Sequence, residues 1–318
     1  PLKEHRLTPR IADTAKALYI IYLGVSVACA ISYHLAGMEW EDAIMHMMTT
    51  VSLSGIGTHD ASFAYFNSPA VDAVAIVFML ISGFNFSLHF MVWRRRNFLI
   101  YLQDAEAKAW IATAALMSAL TIIVLADAHV YETSAETVRH ALFSVVSVIT
   151  TTGYATVDYA SWPLGLPILL LVAAAFSTCA GSTGGGIKTT TFFVLMQQVR
   201  SIFSKRRLGG FHRRLPDGSL SKAATIMLMG LMVVGCGTFA LCVLEPQLDF
   251  GRLLFEQISA YSTAGLSTGI TAGLCPASRV VLILTMFIGR VGAVTLLSLW
   301  VERPEPTARY TEEAITIG

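Results

Sequence analysis

The chain has 318 residues, of which 54% are hydrophobic and 14% are charged, and its mean hydropathy is +0.62. A soluble domain carries about 25% charged residues, so this composition excludes a water-soluble globule, a coiled coil and a disordered chain. The formal net charge of +1 does not point to nucleic acid as a partner. We therefore predict a multi-pass membrane protein.

Six segments are apolar and long enough to cross about 30 Å of hydrocarbon. In chain order the predicted spans are Ala15–Ala36, Val71–Trp93, Trp110–Ala126, Pro163–Val199, Ala224–Leu244 and Val280–Val301. The fourth span is long and is broken by glycines. The spans come in pairs, and each pair encloses a semi-apolar stretch that is too short to cross the membrane alone.

The basic residues predict the orientation of these pairs. Of the 22 Lys and Arg residues, 17 lie in the N-terminal arm, in the linkers between pairs and in the C-terminal tail. Positively charged segments stay on the cytoplasmic side of a membrane. Both ends of every pair are therefore predicted to be cytoplasmic, and the enclosed stretches enter the membrane from outside and return.

The three enclosed stretches repeat one pattern, in which an acid opens a short helical segment and a glycine string follows it. The strings are Gly55-Ile56-Gly57-Thr58, Gly153-Tyr154-Ala155-Thr156 and Gly265-Leu266-Ser267-Thr268. An acid suits the first turn of a helix, and glycine permits a positive φ, so successive carbonyls can face one axis. Rings of such carbonyls replace the hydration shell of K⁺ in selectivity filters. Ordinary extracellular loops with Gly-Thr turns would not recur at the same place in each pair.

The fourth span contains a glycine-rich interruption. Its residues include Gly181, Ser182, Thr183, Gly184, Gly185, Gly186 and Lys188. A phosphate-binding P-loop is not predicted, because Ile187 stands where that motif needs lysine. A break at the membrane midplane predicts a loop that lines a cavity, with a packing kink as the alternative.

Arg290 lies in the middle of the last predicted span. A charge at that depth is costly and should face the protein interior. The exposed carbonyls of the glycine-rich loop would satisfy it, although snorkelling or bonding to neighbouring helices remains open. Lys188 could border the same cavity or extend towards the cytoplasm.

With these motifs, the sequence resembles the Trk/Ktr/HKT superfamily of potassium transporters, in particular the bacterial TrkH-type subunit. The strings 54–62, 150–156 and 262–268 look like the second, third and fourth filters of that subunit. The resemblance implies an all-α multi-pass membrane fold, with helix–re-entrant pore loop–helix units arranged pseudo-fourfold around an ion pore. It divides the chain into pore repeats at residues 1–97, 98–205 and 206–318. The family has four such units, so we expect the chain to be the C-terminal part of a longer subunit.

The resemblance also implies which residues act on the ion. The residues expected to hold K⁺ by their backbone carbonyls are Ser54, Gly55, Ile56, Thr151, Thr152, Gly153, Tyr154, Thr263, Ala264, Gly265 and Leu266. The loop Gly181–Lys188 is expected to act as a gate below the filter, with Arg290 as its partner.

The expected function is K⁺ uptake across the bacterial inner membrane, without enzymatic activity or a cofactor. A member of the same superfamily that permeates Na⁺ and K⁺, or a secondary cation symporter, remains an alternative. In the family, serine in place of the filter glycine accompanies Na⁺ permeation, and all three strings here keep glycine. The implied partners are the lipid bilayer, a second copy in a homodimer and a cytoplasmic nucleotide-binding subunit of the TrkA type. The basic segment 200–214 is a candidate docking site for that subunit.

Overall fold

The structure, a computed structural model, describes residues 11–163, 165–175, 178–204, 209–210, 213–214 and 218–292. In this part of the chain three helices are long and apolar enough to cross a membrane, at Ala15–Leu35, Ala105–Asp127 and Ser219–Leu244. A bent pair of helices, Pro69–Gly83 and Phe86–Arg95, passes the same test when taken together. These helices confirm an all-helical multi-pass membrane protein.

The predicted first repeat contains four helices. Helix α1 (Ile11–Leu35) is followed by the short α2 (Trp40–Val51), and then by α3 (Pro69–Gly83) and α4 (Phe86–Arg95). The prediction of one continuous span over Val71–Trp93 is wrong, because α3 and α4 meet at an angle of 94°.

The bend has a local cause at Asn85. Its backbone is extended, and its side chain accepts a hydrogen bond from the Ser87 N–H at 2.8 Å, so a new helix begins there. His89 then ties the two helices together, because its Nε2–H donates to the Ile81 carbonyl at 2.9 Å. Its Nδ1 is left to accept from the Tyr101 hydroxyl at 2.6 Å.

The predicted second repeat begins with α5 (Leu99–Gln103) and α6 (Ala105–Asp127), and continues with the short α7 (Ser134–Ile149). Helices α8 (Gly165–Ala175) and α9 (Thr189–Ser204) follow, with the glycine-rich segment between them. The predicted break of the fourth span is therefore confirmed.

The predicted third repeat, residues 206–318, begins with a small antiparallel pair of strands, β1 (Gly209–Gly210) and β2 (Arg213–Arg214). It contains α10 (Ser219–Leu244), the short α11 (Phe250–Ser262) and α12 (Pro276–Val291). Helix α12 ends at Val291 and is capped by Gly292, where φ is 90°. The remainder of the predicted span to Val301 lies outside the described residues.

Polar residues lie at the start of each helix that precedes a glycine string, α2, α7 and α11. Glu41 and Asp42 lie in the first turn of α2, as predicted from the acid in this position. The Thr133 hydroxyl accepts from the Glu136 N–H to cap α7 and donates to the Glu136 carboxylate, and Asp249 accepts from the Gly251 N–H at 2.8 Å to cap α11. We call these three the string helices.

In the second and third repeats, the side chains at two equivalent positions pack into the hydrophobic core of the preceding repeat. Phe143 and Tyr154, which lie ten residues before and one residue after the string glycine, are buried in the core of the first repeat. Phe255 and Leu266 hold the corresponding positions and enter the core of the second repeat. The three repeats are therefore packed in sequence by one recurring contact.

Candidate functional site

The three glycine strings share one backbone conformation. In each string the glycine and the residue two positions before it have a positive φ. In chain order φ is 53° at Leu53 and 67° at Gly55, 58° at Thr151 and 89° at Gly153, and 54° at Thr263 and 74° at Gly265. Residues other than glycine adopt this region at a cost of roughly 1–2 kcal/mol each. The repetition of this strained conformation indicates a common purpose for the three turns.

The strings direct their N–H groups back to the helices that precede them. The Ser54 N–H donates to the Thr49 carbonyl at 2.9 Å, and the Thr152 N–H donates to Ser147 at the same distance. The Ala264 N–H makes the equivalent bond to Ser259 at 3.0 Å. Within the described part of the chain, no donor reaches the carbonyls of these three residues or of the glycines that follow them. Those carbonyls are available to a ligand.

The strings adjoin one another through their glycines. A Cβ atom added to Gly55 would overlap the carbonyl oxygen of Thr152, and one added to Gly153 would overlap that of Ala264. A Cβ on Gly265 would meet no atom within 4 Å. Each of the first two glycines therefore lies directly against the free carbonyl of the next string, so the first string adjoins the second and the second adjoins the third.

In the second and third strings, the carbonyl of the residue after the glycine is bonded to the string helix. The hydroxyl of Ser147 donates to the Tyr154 carbonyl, and that of Ser259 donates to the Leu266 carbonyl, both at 2.7 Å. Both of these side chains are buried, whereas Ile56 at the same position is 70% exposed.

Tyr154 also connects the second string to the first string helix. Its hydroxyl lies 2.6 Å from the Thr49 Oγ1 and 3.0 Å from the Thr50 Oγ1. Thr50 in turn lies 2.7 Å from the hydroxyl of Tyr33 on α1. This buried network joins α1, α2 and the second string.

A threonine three residues after each glycine is held by its own string helix. The Thr58 hydroxyl donates to Asp42 at 2.6 Å, and Thr156 lies 3.1 Å from the His140 Nδ1. Thr268 is held by Glu256, which accepts from its N–H at 2.8 Å and from its hydroxyl at 3.3 Å. Sequence reasoning did not assign these anchoring residues to the site. The recurring threonine was the signal, but its partner differs in every repeat.

Asp42 carries a defined charge at the outer end of the first string. Partial burial acts to raise the pKa of Asp42, but the hydrogen bonds from Thr58 and His59 outweigh it and lower the pKa. The carboxylate is therefore ionised at neutral pH and lies 3.4 Å from the His59 Nε2.

The glycine-rich loop lies against the inner ends of all three strings. The Thr183 hydroxyl donates to the Val51 carbonyl at 2.8 Å, at the end of the first string helix. The Gly185 N–H donates to the Thr151 Oγ1 at 3.1 Å, and a Cβ atom on Gly185 would overlap the Thr263 Oγ1. This segment therefore contacts one residue at the start of each string.

The beginning of the loop is fastened to the bend between α3 and α4. The Cys179 N–H donates to the Gly83 carbonyl, and the Phe86 N–H donates to the Gly181 carbonyl, both at 3.1 Å. The Ala180 N–H donates to the Glu106 Oε1 at 2.5 Å. The Gly83 carbonyl and the Phe86 N–H, which lie at the bend, are thus hydrogen-bonded to the loop.

Within the loop, two glycines and one serine shape the chain. Gly181 and Gly186 have φ values of 78° and 69°, and the Ser182 hydroxyl donates to the Thr178 Oγ1 at 2.7 Å. Gly184 lies so close to Thr178 that a Cβ would come within 2.5 Å of the Thr178 Oγ1. The loop therefore needs glycine both for conformation and for space.

Two basic side chains lie at the loop, but only one of them is bonded to it. The Lys188 Nζ donates to the Gly184 carbonyl at 2.5 Å and to the Thr178 Oγ1 at 3.2 Å. Arg290 is exposed in the last turn of α12, and it donates no hydrogen bond to any residue that the structure describes. It is near enough for its charge to repel that of Lys188. The expected bond from Arg290 to a loop carbonyl is replaced by one from Lys188.

The predicted site residues thus meet in two adjoining groups, the strings and the loop beneath them. Among the residues that the structure describes, no group of three or more His, Cys, Asp or Glu side chains could hold a metal ion.

A sequence profile of the TrkH family, described as a cation transport protein, matches residues 1–308. The chain belongs to the TrkH family. This assignment makes it a member of a transport family rather than an enzyme.

Relatives within the TrkH family carry specific names. The chain is 34% identical to the Trk system potassium uptake protein TrkH of Escherichia coli K12 over 94% of its own length and 64% of the relative. It is 47% identical to the protein of the same name from Halomonas elongata over 55% of the chain and 36% of that relative. The chain therefore spans less than two thirds of the length of these curated relatives.

A solved structure shares the fold. The crystal structure of the potassium transporter TrkH from Vibrio parahaemolyticus matches this TrkH-family chain with a TM-score of 0.83 and 34% sequence identity. The match covers 92% of the chain and 65% of that structure.

Proposed function

We propose that this protein conducts K⁺ into the cell across the bacterial cytoplasmic membrane, through a filter lined by backbone carbonyls. The observation that carries the proposal is the repeated string geometry, in which Gly55 and Gly153 lie directly against the free carbonyls of Thr152 and Ala264. The names of the relatives in Escherichia coli and Vibrio parahaemolyticus agree with potassium as the cargo.

The proposed mechanism needs no cofactor, because carbonyl oxygens replace the hydration shell of the ion. Within the described residues, the carbonyls of Ser54, Thr152 and Ala264 and of the following glycines accept no hydrogen bond, so they can turn to the ion without losing a partner. The membrane potential supplies the driving force, at about 2.3 kcal/mol per elementary charge for each 100 mV. The filter therefore provides selectivity and the membrane provides energy.

The loop from Gly181 to Lys188 is proposed as the gate. It lies at the inner end of the strings, and it contacts Val51, Thr151 and Thr263 from the three repeats. Two positive charges, Lys188 and Arg290, lie near this position and oppose the passage of a cation while the loop is in place. Movement of the loop away from the strings would open the path.

The two alternatives differ from this proposal in measurable ways. Permeation of both Na⁺ and K⁺ would fit a filter in which serine replaces a glycine, and the three strings on this chain all have glycine. A secondary symporter would show flux coupled to a second ion with fixed stoichiometry. Potassium conduction is favoured because the three strings share one backbone conformation and all keep glycine.

Two protein partners are proposed, one within the membrane and one in the cytoplasm. We propose a homodimer in the bilayer and a cytoplasmic nucleotide-binding subunit of the TrkA type, with the basic segment 200–214 as its docking site.

In the first repeat, Met45 and Ile56 occupy the positions that Phe143 and Tyr154 occupy in the second repeat. Phe143 and Tyr154 pack into the core of the preceding repeat, whereas Met45 and Ile56 are exposed. One more unit of the same architecture could pack there and close the ring of strings.

The test is the flux of ⁸⁶Rb⁺ and of Na⁺ through the protein at its natural length, reconstituted in vesicles. Gly153→Ser should lower Rb⁺ flux, or the ratio of Rb⁺ to Na⁺ flux, by about tenfold, which corresponds to about 1.4 kcal/mol at an ion site. The physical reason is the overlap of any side chain at this position with the Ala264 carbonyl.

Gly37→Ser is the matched control. Gly37 also has a positive φ, of 109°, but a Cβ there would meet no atom within 4 Å. Its variant should lose some stability and keep the Rb⁺ to Na⁺ ratio. If Gly153→Ser had the rate and ratio of the unmodified protein, the assignment of the filter would be wrong.

A further inference from the structure

Glu256 is a buried carboxylate on the string helix α11, and it accepts hydrogen bonds from the residues that follow the third string's glycine. Its side chain is 5% exposed. Its Oε1 accepts from the Ser267 hydroxyl at 2.6 Å and from the Thr268 N–H at 2.8 Å. Its Oε2 accepts from the Thr271 hydroxyl at 2.8 Å.

The burial of this carboxylate needs an explanation. Moving a carboxylate out of water is costly unless hydrogen bonds replace its hydration. Here the donors include one backbone N–H and three hydroxyls, all from the turn that follows Gly265. The carboxylate therefore holds that turn in one conformation, because any movement of the turn leaves a buried charge with fewer donors.

The corresponding anchors in the other two strings are weaker. Asp42 and His140 each hold their threonine by one hydroxyl contact, and both side chains are partly exposed. Glu256 in addition fixes the main chain of its string at Thr268. Among the three threonine anchors, Glu256 therefore makes the most hydrogen bonds to its own string.

Two further hydrogen bonds hold the backbone of the third string close to the Glu256 anchor. The Ser259 hydroxyl, one turn further along α11, donates to the Leu266 carbonyl at 2.7 Å. From the second repeat, the Tyr159 hydroxyl donates to the Ser267 carbonyl, also at 2.7 Å. The segment from Leu266 to Thr268 is thus held at consecutive residues, immediately beyond the glycine.

We propose that Glu256 is a positioning residue that sets the outer width of the filter and thereby its discrimination between K⁺ and Na⁺. The inference rests on the proposed function of the strings. Selectivity by carbonyl ligands depends on where the carbonyls are held. Glu256 does not touch the ion, and acts through the Thr268 N–H and the string backbone.

The experiment compares Glu256→Gln with the unmodified protein at its natural length, by Rb⁺ and Na⁺ flux in vesicles. An amide can accept the Thr268 N–H with its oxygen, but its NH₂ group cannot accept from the Thr271 hydroxyl. We expect the Rb⁺ to Na⁺ ratio to fall by about tenfold, the size of one hydrogen bond to a charged group, while Na⁺ flux persists. Persisting Na⁺ flux distinguishes altered selectivity from simple loss of folded protein.

Glu245→Gln is the matched control. Glu245 is also buried and also accepts from a backbone N–H and a serine hydroxyl, those of Cys275 at 2.6 Å and Ser278 at 2.9 Å. It joins α10 to the start of α12 and has no bond to a string. Its variant should change thermal stability and leave the flux ratio unaltered.

The outcomes separate this inference from the proposed function. An unmodified protein that carries no Rb⁺ would overturn the proposed function itself. A selective unmodified protein together with an unchanged ratio in Glu256→Gln would overturn only the role of Glu256. If Glu256→Gln cannot be recovered folded, Thr271→Val removes one donor from the same carboxylate. That variant should lower the ratio in the same direction, and an unchanged ratio would again overturn the inference.

Discussion

The backbone N–H of Gly185 donates a hydrogen bond to the Oγ1 of Thr151, with 3.1 Å between the two atoms. Thr151 precedes the glycine of the second string by two residues, and Thr263 does so in the third string. The Thr263 Oγ1 lies against the same Gly185, but it is buried without a hydrogen-bond partner among the described residues. Two equivalent threonines therefore differ in one bond to the loop.

Thr151→Val should loosen the loop. Valine has the same shape and the same β-branched side chain but cannot accept from the Gly185 N–H. The loss of one hydrogen bond costs about 1 kcal/mol, so we expect basal Rb⁺ flux in the closed state to rise by about fivefold. Vesicle flux without an activating partner measures this leak.

Thr263→Val is the control for that prediction. Because the Thr263 hydroxyl has no partner to lose, valine should leave basal flux unchanged and should maintain or raise thermal stability. Equal leaks in the two variants would contradict a specific role for the bond between Thr151 and Gly185.

Arg290→Ala should raise basal flux. Arg290 and Lys188 are two like charges beside the loop, and removal of one lowers the electrostatic barrier to a cation at that point. Arg279→Ala is the matched control, because Arg279 lies on the same helix and donates instead to the Ala272 carbonyl at 2.7 Å. The measurement is Rb⁺ flux at low and high salt. An Arg290 variant with the flux of the control would argue against an electrostatic barrier.

Tyr154→Phe should shift ion selectivity as well as stability. The hydroxyl joins the second string to Thr49 and Thr50, and its loss removes bonds worth about 1–2 kcal/mol. Tyr33→Phe removes a hydroxyl from the same network, but Tyr33 lies on α1 and does not belong to a string. Thermal unfolding should reveal both losses, and the Rb⁺ to Na⁺ ratio should change only for Tyr154. A change of similar size in both variants would mean that the network acts only on stability.

Glu245 should make stability depend on pH in the acidic range. The Cys275 N–H, followed by the Ser278 hydroxyl, lowers the pKa of the Glu245 carboxyl in the folded protein. The stabilisation is complete above the unfolded pKa of about 4.3 and is lost as the pH falls through the lower, folded value. Between pH 6 and pH 3 the Tm of the unmodified protein should therefore fall further than that of Glu245→Gln. Parallel Tm curves would contradict the prediction.

The sequence was sufficient to locate the strings and their helices. Three copies of one pattern, each with an acid before it, placed Gly55, Gly153 and Gly265 at turns with positive φ, because only glycine takes that conformation freely. The break after α8 was also predictable, since consecutive glycines disfavour a helix. These features depend on local chemistry alone.

The bend between α3 and α4 was not predictable in the same way. The apolar pattern continues through it, and Gly83 and Asn85 are single residues of a kind that helices often tolerate. What permits the bend is the bonding of its freed backbone groups by Cys179 and Gly181, which lie almost a hundred residues later. A contact so distant in sequence leaves no local signal.

The anchors of the strings escaped prediction for a different reason. The threonine recurs in each repeat, but its partner is an aspartate, a histidine or a glutamate, and the glutamate lies one turn nearer to its glycine than the other two. Comparing the repeats by residue type therefore does not show that all three hold the threonine of their string in the same way.

Those unlike anchors, Asp42, His140 and Glu256, give the assembly a property that a ring of identical subunits lacks. In an identical ring one substitution alters every sector together. Here each sector is encoded separately, so a change at one anchor leaves the others as they were. Under the proposed function, a substitution at one anchor would adjust ion preference in one sector of the filter, in a graded step.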